Sequence, residues 1–254
     1  ARPQVALDMP RGPAMLVGMD RRKIVSREAW LVARRKLLAE EKALSRQRDA
    51  VSAQRRELPW VKLDKDYVLA GPDGPARLAD LFVGRRQLIV YHFMFDPSWE
   101  DGCKSCSFIA DNFVGGLVHL AARDVAFAVV SRAPLAKLEA FRRRMGWDFR
   151  WYSALDSDFN SDFHVSFRPE ELADGVEYNF TPGTKFPVSE APGLSVFVRD
   201  GEDIFHTYST YARGLDLLIG TYNYLDLTPG GRGEDGLAYA MAWVRLHDRY
   251  DPAT

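Results

Sequence analysis

The 254-residue chain has only two cysteines and no surplus charge of either sign. Its 34 Lys and Arg stand against 35 Asp and Glu, a formal net charge of −1. A domain that grips nucleic acid is normally basic, so this balance argues against that class. No apolar run approaches the ~20 residues that a membrane-crossing helix needs. The opening stretch from Ala1 to Asp20 has no continuous apolar core, so it does not read as a secretory signal. The expected compartment is therefore the cytoplasm, with no membrane partner. Internal repeats and low-complexity tracts are also missing. Two cysteines are too few for a disulfide framework, and a chain this long buries roughly 70–75% of its unfolded surface without staples. In a reducing compartment, a pair spaced Cys103-x-x-Cys106 points to catalysis or metal binding.

Glycine and proline are absent from Ser26 to Glu57, a stretch rich in Ala, Leu, Glu, Lys and Arg. These are good helix formers, with Ser26 as a candidate N-cap and Pro59 as a stop. Trp30, Leu37, Leu44 and Val51 recur every seven residues, with Leu31 and Leu38 widening the stripe. The alternate heptad positions Ala33, Glu40 and Gln47 are weak, which argues against a free-standing coiled coil. The stripe must dock on its own domain or on a second copy, which leaves room for a homodimer through this helix. Three zones result: an extended tail at 1–24, a long amphipathic helix at 25–58, and an α/β domain at 59–254.

Within the last zone, short strands and helices alternate. Gln87 to Phe95 is an apolar, β-rich run suited to a strand buried on both faces. A helix is expected from Cys103 to about Ala122, a strand at Val125–Ser131, an amphipathic helix at Leu135–Met145 and a strand at Phe149–Ser153. Two strands, Leu194–Arg199 and Ile204–Tyr211, flank the turn Asp200-Gly201-Glu202-Asp203, and a helix from Leu215 to about Leu225 closes the domain. This order predicts an α/β fold with a mixed sheet flanked by helices.

The segment Asp96-Pro97-Ser98-Trp99-Glu100-Asp101-Gly102-Cys103-Lys104-Ser105-Cys106 carries the chemistry. A buried strand ends, a short polar loop follows, and the cysteine pair opens a helix. Unpaired N–H groups there favour a thiolate on Cys103. Cys106, one turn further in, is placed to attack a mixed disulfide on Cys103. Lys104 favours the thiolate, whereas Glu100 and Asp101 oppose it. Zinc is disfavoured, because no second C-x-x-C or paired histidine motif supplies further ligands. His92 and His206 lie on strands that could bring them near the cysteines, either as neighbouring groups or, with Cys103–Cys106–His206, as a copper site. Asp156 to Asp162 begins like a calcium loop, but Ser161 replaces the turn glycine and Phe167 stands where a bidentate Glu is needed. Gly230-Gly231-Arg232-Gly233 lacks the strand–turn–helix context of a phosphate loop. No metal or cofactor is expected.

From about Ser26 to Tyr250 the chain resembles a thioredoxin-like bacterial family catalogued as domain of unknown function 899. Its members are labelled predicted dithiol–disulfide oxidoreductases. The match rests on Leu58-Pro59-Trp60, Tyr91-His92-Phe93-Met94-Phe95, Gly102 to Phe108, Val130-Ser131-Arg132-Ala133-Pro134, Phe205 to Gly214, Gly220 to Leu227 and Met241-Ala242-Trp243. The resemblance implies a thioredoxin-like domain in which Cys103 and Cys106 are catalytic. Trp99, Lys104, Ser105, Ala191 and Pro192 would border the substrate groove. In such folds a cis-proline precedes the late strand, and Ala191-Pro192 stands at that place. The substrate would be a protein or small-molecule disulfide, served by an unidentified electron donor. Val129 to Asp156 also resembles peroxiredoxins, but their Pro-x-x-x-Thr-x-x-Cys motif is missing, which makes thiol peroxidase the alternative activity.

Overall fold

The computed structural model describes residues 24–113 and 115–251; the expected tail, apart from Ile24, lies outside them. Helix α1 (Arg27–Arg56) is capped as expected, with the Ser26 hydroxyl accepting the Ala29 N–H at 3.3 Å. None of its residues is buried, and Trp30, Leu37 and Leu44 stay exposed. Strands β1 (Val61–Lys62), β2 (Val68–Gly71) and β3 (Gly74–Arg77) follow, then β4 (Gln87–His92), α2 (Lys104–Ala110) and α3 (Leu117–Ala122). Next come β5 (Val125–Ser131), α4 (Leu135–Arg144) and β6 (Trp151–Ser153). An insert holds α5 (Phe159–Asp162), α6 (Pro169–Asp174) and the hairpin β7 (Val176–Tyr178) and β8 (Thr181–Thr184). The hairpin β9 (Gly193–Asp200) and β10 (Asp203–Tyr211) leads into a 3-10 turn and α7 (Gly220–Leu225).

Among the described residues, eight strands form one sheet in the order β1-β10-β9-β4-β5-β6-β2-β3. At its centre β4 and β5 are parallel, β9 is antiparallel to β4, and β10 is antiparallel to β9. A β–α–β unit followed by a β-hairpin, in the order β5-β4-β9-β10 with a cysteine pair after the first strand, is the thioredoxin-like arrangement. β4 is central because Leu88, Val90, Tyr91 and His92 are all buried, as a strand covered on both faces requires.

One face packs an aromatic cluster of Phe93, Phe95, Phe141, Trp147 and Trp151 with α2 and α4. The other packs Leu69, Leu81, Phe82, Phe159 and Phe197. Burying one such side chain contributes roughly 1.5–3 kcal/mol, so these two layers dominate the fold's stability.

Two expectations are corrected. The single helix expected over Cys103–Ala122 is broken into α2 and α3. Asn112 takes the Phe108 carbonyl through its Nδ2 at 2.7 Å, and Gly115 adopts a positive φ of 82° that a helix interior does not accept. The helix expected to close the domain at Leu215–Leu225 begins as a 3-10 turn at Ala212–Leu218 and reaches α form only from Gly220. Beyond it the chain returns as an irregular strap over α2, where Trp243 packs edge-on against Phe108 at 5.5 Å. Among the described residues, no helix is long and apolar enough to cross a membrane.

Candidate active site at the start of α2

β4 delivers the chain to the top of the sheet, and the loop after it turns back so that the Cys103 N–H donates to Met94 O at 3.0 Å. Gly102 makes that approach feasible. A Cβ at this position would lie 2.7 Å from Phe93 and 3.0 Å from Phe141, so any side chain would push the loop off the aromatic layer. Lys137 Nζ fixes the loop from below by donating to the carbonyls of Pro97 (2.8 Å) and Trp99 (2.6 Å).

Cys103 is half-buried and Cys106 fully buried, and both are free thiols. The Cys106 side chain, the N–H groups of Cys106 and Ser105, and the Lys104 charge together pull the Cys103 thiol down to about 7, against the opposing effect of burial. Burial, and then the neighbouring Cys103, push the Cys106 thiol well above its ordinary value. One sulfur is thus available as a thiolate near neutral pH, while the other waits as a protonated thiol. The Tyr91 hydroxyl is fully buried beside Cys106 and has no oxygen or nitrogen partner.

Sequence reading missed the ionic network that fixes the neighbouring loops. Arg132, just past β5, binds Asp96 from the β4–α2 loop and donates through Nε to Glu190 at 2.6 Å. Asp96 also accepts from Ser98 and Ser189, and Glu190 accepts from the Ser166 hydroxyl at 2.7 Å. Burial raises Glu190 to about 7, although Ser166 and Arg132 oppose it. This network ties the cysteine loop to the segment that carries Ala191 and Pro192. Its one sequence signal was an arginine directly after β5, whose residues Val125–Val130 are apolar.

The predicted groove residues separate. Ser105, Cys106 and Pro192 line a cavity of about 750 Å3, whereas Lys104 turns to the Ala242 carbonyl (2.8 Å) on the edge of a neighbouring hollow. Trp99 packs against the aromatic layer and Ala191 is buried beneath the β7–β8 hairpin, so neither lines that cavity. No peptide bond among the described residues is cis, so the Ala191–Pro192 bond is trans, contrary to the expectation. Its setting is tightly specified all the same: the Tyr178 hydroxyl donates to the Pro192 carbonyl at 2.9 Å.

The histidine expectation is also corrected. Consecutive strand residues point to opposite faces. Tyr91 faces the cysteines, and His92 therefore lies on the far face, stacked on Phe159 and Phe163. His92 bonds Asn160 (3.1 Å) and Ser195 (3.0 Å), Ser195 bonds Ser209 (2.9 Å), and Ser209 bonds His206 (2.8 Å). The sheet stands between this chain and the sulfurs, so no Cys103–Cys106–His206 copper site forms. Among the described residues, no group of three or more His, Cys, Asp or Glu could hold a metal.

A fold of this strand order with a thiol pair opening its first helix defines a thioredoxin-fold protein. Residues 19–250 match the family described as "Bacterial protein of unknown function (DUF899)", and the chain belongs to that family. A search of the curated proteins finds no match. Similar solved structures include a cysteine-to-serine variant of Xylella fastidiosa PrxQ (13% identity, 64% of this chain and 89% of that one, TM-score 0.40). Peroxidoxin BcpB from Mycobacterium tuberculosis is another (16%, 66% and 96%, 0.41). A candidate thiol:disulfide interchange protein DsbE from Chlorobium tepidum is a third (12%, 63% and 93%, 0.41).

Proposed function

We propose that this protein is a thiol–disulfide oxidoreductase acting through Cys103 and Cys106. The observation that carries the reading is the asymmetry of the pair: a half-buried thiol drawn down to about 7, with a fully buried, protonated thiol one helical turn behind it. In the reaction, the Cys103 thiolate attacks one sulfur of a substrate disulfide. The S–S bond breaks, and one substrate thiolate leaves and takes up a proton. Cys106 then gives up its proton and attacks Cys103 Sγ, expelling the second substrate thiol. The protein dithiol has become an intramolecular disulfide, and the substrate disulfide has become two thiols. A dithiol donor returns the protein to its starting state. We place the activity in the cytoplasm on cysteine usage alone.

A Cys106→Ser variant tests the reading. With the resolving thiol gone, mixed disulfides on Cys103 should accumulate and appear by mass as stoichiometric adducts. If none forms with any disulfide while peroxide converts Cys103 to its sulfenic acid, the peroxidase alternative replaces this reading.

A further inference from the structure

The cavity beside the cysteines has a wall that a simple thioredoxin-like core does not provide. After α7 the chain runs back through Gly230–Met241 and closes one side of the space in front of Cys106 and Pro192. Glu234 holds this strap by accepting from the Tyr222 hydroxyl (2.5 Å), the Met241 N–H (2.9 Å) and the Trp243 indole (2.8 Å). Arg232 anchors it again, paired with Asp226 and Asp216 and lying 3.9 Å over the Tyr222 ring. The result is a walled pocket of about 750 Å3, within the range of small-molecule sites.

The backbone beside the pocket points the same way. A peptide adding itself as a strand needs free N–H and C=O groups to pair with. Here the Ala191 N–H already donates to Val165 O (2.9 Å), Pro192 has no N–H, and its carbonyl takes the Tyr178 hydroxyl. The charges at the mouth are lopsided. Asp216, Asp226, Glu234 and Asp235 line it against Arg213 and Arg232, and with those arginines paired to Asp216 and Asp226 the surplus is two carboxylates, Glu234 and Asp235. Cys106 lines the pocket, and the Cys103 thiolate, hydrogen-bonded to Cys106, adds negative charge just outside it, while Lys104 is turned away to Ala242 O and the Tyr239 ring.

Building on the redox reading above, we propose that the pocket binds a low-molecular-weight disulfide bearing ammonium groups, and that it disfavours carboxylate-bearing disulfides and protein chains. The balance is that of the parent reaction: the protein dithiol and R–S–S–R yield the Cys103–Cys106 disulfide and two R–SH.

The test is single-turnover oxidation of the reduced protein by three disulfides of similar size: dicationic cystamine, neutral bis(2-hydroxyethyl) disulfide and dianionic dithiodiglycolate. Insulin serves as the protein disulfide. Rates are read by alkylation and mass, and each is divided by the rate at which dithiothreitol reduces the same compound, which removes intrinsic differences in leaving group. The expected order is dication, neutral, dianion, with at least about tenfold between the extremes and insulin slowest. The spread should shrink in high salt. Asp235→Lys, an exposed change at the mouth, should narrow or invert it. Ala240→Trp should fill the pocket and slow cystamine several-fold while iodoacetamide still alkylates Cys103 at the wild-type rate. Equal normalised rates, preference for the dianion, or faster oxidation by insulin overturns the pocket assignment and leaves the redox reading standing. Failure of every disulfide to form the Cys103–Cys106 bond sinks the redox reading, and this assignment falls with it.

Discussion

Tyr91 and His92 are neighbours on β4, yet they belong to opposite regimes of the same sheet. On the His92 face the polar side chains bond one another in a chain running from Asn160 through His92, Ser195 and Ser209 to His206. On the Tyr91 face a fully buried hydroxyl is left beside a protonated thiol, with no oxygen or nitrogen to bond. An unmade buried hydrogen bond costs about 1–3 kcal/mol. The chain therefore bonds its polar side chains to one another on the His92 face and leaves Tyr91, on the cysteine face, only the weak contact of the Cys106 sulfur. On the proposed mechanism, that hydroxyl can donate to Cys106 once Cys106 becomes a thiolate.

The largest effect falls on the thiol face. Cys103→Ser should abolish disulfide exchange outright, and in the wild type the alkylation rate at Cys103 should rise with pH through about 7 and then level off. A rate that keeps climbing to pH 9 would remove the asymmetry on which the reading rests.

The second prediction tests the opposite face. Burial holds His92 down at about 4, below its unfolded value of 6.5. Between these pH values the unfolded chain binds the extra proton, so the stability His92 contributes is full above about 6.5 and is lost as pH falls towards about 4. Glu190 runs the other way: raised to about 7, it contributes stability that is full below about 4.5 and fades as pH rises through 7. The two slopes oppose each other in the wild type. The stability difference between wild type and His92→Gln in urea isolates the histidine, and should grow by about 3 kcal/mol from pH 4 to pH 6.5. A difference that stays flat with pH would mean that His92 is solvated.

A matched pair of substitutions sharpens the contrast further. Ser195→Ala opens the hydrogen-bonded chain between His92 and Ser209 and should cost about 2 kcal/mol in chemical denaturation. Tyr91→Phe removes a hydroxyl whose partner is the weakly bonding Cys106 sulfur, so stability should change by less than about 1 kcal/mol. The resolving step, followed by stopped-flow after Cys103 is loaded with substrate, should slow about tenfold. Equal destabilisation by both would erase the distinction between the faces. The smallest effect concerns α1, whose exposed Trp30–Leu37–Leu44 stripe makes a homodimer the expectation. Sedimentation should give twice the chain mass at micromolar concentration, and a Leu37→Glu, Leu44→Glu variant should sediment as a monomer with unchanged redox activity.

The sequence was legible wherever the signal was local. Ser26 as a cap, the apolar run at β4, Val125–Ser131 as a strand, and the turn at Gly201 all follow from short-range chemistry, and all are found. The cysteine pair was legible because its spacing and the strand before it are local too. The insert between β6 and β9 was not read as regular structure, because its elements are only three to six residues long and lean on one another more than on their own periodicity. Arg132, Asp96 and Glu190 were invisible as a set, since the chain separates them widely and only the sheet brings them together.

Sequence alone determined the class of fold, the helix boundaries that rest on caps and breakers, and the pair of cysteines that makes the candidate site. These depend on propensity, periodicity and spacing, which act over a few residues. Tertiary structure alone decided which side of the sheet each histidine occupies, which thiol is drawn down and which pushed up, and how the returning strap walls the pocket. Those outcomes depend on burial and on charges brought together across the fold, quantities that exist only once distant segments have packed.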